Sequence, residues 1–148
     1  MSTPTAPVKT RSGPHLVLLT VYAIFVLAAG ARSLVQVFTD FGGAPIAYSL
    51  SVVAAATYVA GWFAIRRAAA GSAGFAKIML WIELAGVIVV GVLSLAVPSW
   101  FPDDSVWSKF GSGYGFVPAL LPILGLLWLW KVNPKETDES VDSHRNLA

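Results

Sequence analysis

Two charges fall inside apolar runs of this sequence, Glu83 and Arg32, and they are the side chains whose type and position best suit chemistry. Glu83 interrupts an apolar length of about 20 residues, enough to cross a hydrocarbon core, and a central acid costs roughly 2.5–3.5 kcal/mol on insertion scales. It must therefore be protonated, paired or turned toward a polar interior. Arg32 stands with Gln36 and Asp40 at i, i+4 and i+8, so the three share one helical face and form a polar stripe near one membrane surface.

Depth along the apolar runs sorts the remaining polar groups into two layers. Glu83, Tyr22 and Tyr58 form an inner layer; Arg32, Gln36, Tyr48, Ser49, Ser94 and Tyr114 form an outer one, with Asp40, Asp103 and Asp104 in reach. A Glu83–Arg32 pair would suit proton-coupled transport, but the two lie roughly 12 Å apart along the normal of a ~30 Å core. The spacing favours separate roles: Arg32 snorkels outward to Asp40, Asp103 or Asp104, and Glu83 is neutral or bonded to Tyr22, Tyr58 or Arg66.

Other chemistries find little support. Cysteine is absent, which removes disulfides, thiol catalysis and cysteine-ligated metals. His15 and His144 lie at tail or helix-end positions without paired ligands, and no histidine at membrane depth serves as base for a serine. Gly113-Tyr114-Gly115 matches the last three residues of the potassium-filter string Thr-Val-Gly-Tyr-Gly, but Gly111-Ser112 replaces the first two and the next helix starts at once, so a glycine-rich turn is the better reading. No catalytic, cofactor or metal residue is assigned, and an enzyme is not expected.

The elements that must position these groups follow from composition. Of 148 residues 56% are hydrophobic and 12% charged, far more apolar surface than one soluble core needs. The net charge of +2 does not indicate nucleic acid, because the basic residues sit at the ends of apolar runs and read as topology signals. Four spans are predicted, about 16–38, 45–65, 77–97 and 115–130, within a membrane domain of residues 15–131 flanked by disordered cytoplasmic tails, 1–14 and 132–148. The first run is too long for the core of a signal peptide. Gly42-Gly43 and Pro45 make a tight hairpin, Gly71 and Gly74 a flexible link, and Pro98 a stop.

Small and hydroxylated residues from Tyr48 to Tyr58 predict a central second span, and Gly86, Gly91 and Ser94 predict close packing on the third. In the fourth, Pro122 should kink the helix or free a carbonyl. Asp103 or Asp104 is expected to cap a short interfacial helix to Phe110, with Val106, Trp107 and Phe110 on its apolar face and a carboxylate near Arg32. Lys9, Arg11, Arg66, Arg67, Lys77, Lys131, Lys135 and Arg145 fall on one side, so the positive-inside rule puts both termini in the cytoplasm.

The strings Ala31-Arg32-Ser33 with Gln36, Ala44-Pro45-Ile46-Ala47-Tyr48, Ile82-Glu83-Leu84-Ala85-Gly86 and Gly111-Ser112-Gly113-Tyr114-Gly115-Phe116-Val117-Pro118 resemble those of a small, uncharacterised four-span membrane protein family of actinobacteria. The resemblance covers the spans and not the tails. It implies the topology and a bacterial inner-membrane setting, and no activity. Small multidrug exporters carry their glutamate in the first span, where this chain has Arg32, and carriers of polyprenyl-linked sugars share size and span count only.

The expectation is thus an all-α bundle of four transmembrane helices with a short interfacial helix in the outer loop. Its partners are the lipid bilayer and a membrane protein or further copies of itself. Two functions compete: a non-catalytic structural or accessory subunit of a larger membrane complex, or a small oligomeric transporter or lipid carrier using Glu83 and Arg32. The residues that carry either are Arg32, Gln36, Asp40, Tyr58, Glu83, Asp103, Asp104 and Tyr114.

Overall fold

Punctuation in the sequence sets the ends of each element. The computed structural model describes residues 13–70 and 73–132. Among these, all regular structure is helical: α1 (Gly13–Asp40), α2 (Pro45–Ala68), α3 (Ala73–Ala96) and α4 (Val117–Val132), with 3-10 turns at Pro98–Trp100 and Ser108–Tyr114. Pro45 opens α2, where its missing N–H is no loss, and Arg66 and Arg67 occupy the last turn of α2 beside the negative end of the helix dipole. Helix α3 stops two residues before Pro98, whose ring disfavours helical backbone at the residue before it. Helix α4 continues through Pro122, which supplies no N–H to the helix ladder.

Helices α1, α2 and α3 are each long and apolar enough to cross a membrane. Helix α4 reaches that length only together with Ser108–Tyr114, across a bend of 98°. Only 28% of the apolar window of α1, and 33% of those of α2 and α3, is buried in the protein. Ile24, Leu27, Phe38, Phe63, Trp81 and Trp130 are among the large apolar side chains left exposed, a surface suited to lipid.

Helix α1 packs on α2, α2 on α3, α3 on α4, and α4 less extensively back on α1. The inward face of α2 is Ala47, Ser51, Ala54, Tyr58, Gly61, Ile65 and Ala68, a repeat of alternate four- and three-residue steps, with small side chains that let the neighbouring backbones approach. Gly61 is required there: a Cβ would lie 2.8 Å from the Tyr22 ring.

Several boundaries differ from the sequence expectation. Gly13 and Pro14 start α1 and Val132 ends α4, while residues 1–12 and 133–148, the bulk of the expected tails, lie outside the described residues. The link after α2 is shorter than expected, because Ala73–Ala76 already belong to α3.

The larger correction concerns the outer loop, where the expected helix over Asp103–Phe110 does not form. Asp103 to Trp107 make bends and turns, and Lys109, Phe110 and Gly111 all take left-handed backbone (φ 50°, 61° and 77°), which no right-handed helix tolerates. The cause is anchoring to α3. The Ser94 hydroxyl accepts the Lys109 N–H at 2.7 Å and donates to the Gly91 carbonyl, and the Phe110 ring lies over Gly91. Val106 and Trp107, expected to face the membrane surface, are buried instead.

Candidate functional site

The inner cluster is built across three helices and the loop. Glu83, on the inward face of α3, has 0% exposure, and its Oε2 accepts a hydrogen bond from the Tyr22 hydroxyl of α1 at 2.6 Å. Its Oε1 is buried without a partner. Tyr58 of α2 accepts the indole N–H of Trp107 at 3.0 Å. Trp107 reaches that depth because Gly86 leaves its ring room: a Cβ there would sit 2.6 Å from the indole.

Rings fill the space between the inner and outer groups. Tyr58 lies edge-on to Tyr22 and to Trp107, with centroids 6.3 and 6.4 Å apart, and Phe25 bridges Tyr58 (5.5 Å) to Tyr114 (5.8 Å). Tyr58 and Glu83, named from the sequence, therefore belong to one packed centre with Tyr22. Trp107 completes it, and sequence reasoning missed that role by treating the side chain as an interfacial anchor.

The outer cluster is more exposed. Arg32 donates from Nη2 to the Asp104 carbonyl oxygen at 2.6 Å and from Nη1 to the Tyr114 hydroxyl at 3.3 Å. The expected carboxylate partner is absent: among the described residues the one ion pair is Lys109–Asp104, at 3.1 Å with both side chains half exposed. Asp103 instead accepts from the Tyr48 hydroxyl. The geometry explains the exchange, because the loop turns its backbone toward Arg32 and its carboxylates toward Tyr48 and Lys109.

The stripe of Arg32, Gln36 and Asp40 divides along its length. Arg32 and Gln36 are half-buried, the Arg32 Nε and Gln36 Oε1 atoms lacking partners, while Asp40 is exposed at the end of α1. Glu83 and Arg32 make no ion pair. Glu83 is held by one hydroxyl, and Arg32 by one carbonyl and one hydroxyl.

His15, read from the sequence as a tail or helix-end residue without paired ligands, is buried. It is 2% exposed, its ring tilted on that of Trp128 at 5.2 Å, and its only signal was that it directly precedes the long apolar run beginning at Leu16. His144 lies outside the described residues. Among the described residues no group of three or more His, Cys, Asp or Glu side chains is arranged to hold a metal ion.

Compared with family models, with curated proteins and with solved structures, the chain finds no match in any of the three.

Proposed function

We propose that this chain is a four-span membrane protein with cytoplasmic termini that serves as a non-catalytic structural or accessory subunit of a larger membrane complex. On this reading it is a bacterial inner-membrane protein of the small actinobacterial kind that its sequence resembles. One observation carries the reading: the polar side chains at the centre of the bundle, Tyr22, Tyr58 and Glu83, bond to one another or to Trp107 of the loop. Tyr22 meets Glu83, Trp107 meets Tyr58, and aromatic rings occupy the space between these groups and Arg32. Such bonds act as glue between membrane helices, worth about 0.6 kcal/mol each on average. The outer loop is part of the same construction, tied to α3 and to Tyr58.

A second reading, a small oligomeric transporter or lipid carrier, draws on two specific observations. Glu83 keeps one oxygen unpartnered at 0% exposure, and Arg32 has no carboxylate among the described residues within 4 Å.

Purification of the full chain from its native membranes in mild detergent separates the two. The subunit reading expects migration in an assembly well above the 15.7 kDa of the chain, with a distinct membrane polypeptide at fixed stoichiometry. Migration alone or as a homo-oligomer, together with ion or lipid flux in proteoliposomes that Glu83→Gln abolishes, would sink it in favour of the carrier. Reporter fusions after Arg67 and at the C-terminus test the topology, and activity of either reporter outside would reject the orientation.

A further inference from the structure

The start of α1 and the end of α4 enclose a cleft of about 450 Å³, walled by Pro14, Val17, Leu124, Leu127 and Trp128, with Lys131 at its edge. The wall is apolar save for its end. There the Trp128 indole N–H is buried without a hydrogen-bond partner among the described residues. Desolvated polar atoms of this kind are costly unless something supplies the missing contact. The cleft arises from the sequence: α4 is only 16 residues long and packs less on α1 than on α3, so their facing sides part at this end.

Among the described residues the charge at this end has one sign. Arg66 and Arg67 close α2, Lys77 stands in the first turns of α3 and Lys131 in the last turn of α4. Asp40, Asp103 and Asp104 sit at the opposite end, and Glu83 lies inside. A long apolar cleft that opens beside an ammonium fits a molecule with a hydrocarbon tail and an anionic head. Basic pockets between membrane helices favour anionic lipid headgroups for this reason.

We propose that this cleft holds an anionic glycerophospholipid of the adjoining leaflet, one acyl chain lying against Val17, Leu124 and Leu127 and the phosphate at the Lys131 ammonium. The acyl chain supplies retention, since every buried methylene adds to it, and Lys131 supplies the preference for negative charge. A zwitterionic lipid has the same tail without the net charge. Free phosphate has the charge and no use for the cleft. Arg66 lies over the Trp62 ring at 4.6 Å, on α2, and is not part of the site.

Native mass spectrometry of the delipidated full chain in dodecyl maltoside, titrated with dioleoylphosphatidylglycerol or dioleoylphosphatidylcholine, tests the assignment. One phosphatidylglycerol should be retained over phosphatidylcholine by about fivefold, the selectivity expected of one lysine near the surface. Lys131→Gln should bring the two lipids together, and Leu124→Trp, which fills the cleft from a lipid-facing position, should remove both. The double variant Arg66→Gln/Arg67→Gln should leave the preference in place. Equal retention of the two lipids by the wild type overturns the proposal, and so does a preference that survives Lys131→Gln but is lost in the double variant. Displacement of phosphatidylglycerol by millimolar glycerol phosphate would show that the head alone is read, and would equally reject a lipid in the cleft.

Discussion

Glu83 and Arg32 are each a formal charge drawn into a bundle of apolar helices, and the chain treats them in opposite ways. Around Glu83 the contacts are made between helices, at 0% exposure, with the Tyr22 hydroxyl bonded to it and the Tyr22, Tyr58 and Trp107 rings packed edge to face. Around Arg32 they are made to the loop, through a backbone carbonyl and a half-buried phenol, and the nearby acids are occupied by Tyr48 and Lys109. A side-chain partner at depth ties helix to helix. A backbone partner at the rim ties the loop down whatever residue stands at that position. The inner cluster should therefore govern assembly of the bundle, and the outer one the order of its loop.

The largest effect expected from this contrast is that of Trp107→Ala, because Trp107 belongs to the loop by sequence and to the inner cluster by contact. Loss of a buried indole costs about 3–5 kcal/mol. The variant should lower the midpoint of unfolding in mixed micelles strongly while still inserting. A loss below 1 kcal/mol would place Trp107 with the outer group and break the contrast.

Tyr22→Phe removes the donor to Glu83 and leaves both carboxyl oxygens without a partner, at a cost of about 1–2 kcal/mol in the same assay. Glu83→Gln keeps an acceptor for Tyr22 and should cost less; the reverse order would mean that the acid, and not the bond, holds the helices.

Arg32→Gln should cost about 1 kcal/mol, seen as hydrogen exchange in residues 98–113 about fivefold faster, with topology unchanged. Unfolding of the whole bundle at lower denaturant, with no change in the loop, would reverse the roles of the two clusters. Smallest is Lys109→Gln, about 0.5 kcal/mol or less for a half-exposed pair, and 0.5 M salt should erase the difference from wild type.

What could be read from the sequence divides along the same line. Helix positions followed from apolar run length and from Gly42-Gly43, Pro45 and Pro98, since these act locally on the backbone. Tyr22 near Glu83 followed from depth, because rise per residue is constant. The loop did not, since its form is set by α3. Gly86, Gly91 and Ser94 were legible as close-packing positions, yet nothing local told that their occupants would be Trp107, Phe110 and the Lys109 N–H. A tryptophan beside acidic residues looks the same whether it anchors an interface or fills a glycine notch. Asp103 and Asp104 were misassigned for a related reason: charge alone pairs Arg32 with a carboxylate, while the loop presents a carbonyl.

The unequal helices have a consequence for the membrane itself. Helix α1, with 28 residues, is about 42 Å long, and α4, with 16, is about 24 Å. In the four-span arrangement proposed above, a bilayer of uniform thickness cannot match both walls of the same molecule. On the α1 side the helix must tilt or project past the acyl chains, and beside α4 the leaflets must draw together, at fractions of a kcal/mol for each ångström of mismatch. The protein thus carries a thin side and a thick side. Its own elastic imprint on the lipid would turn α4 toward other thin-walled neighbours, a sorting force that acts before any specific contact is made.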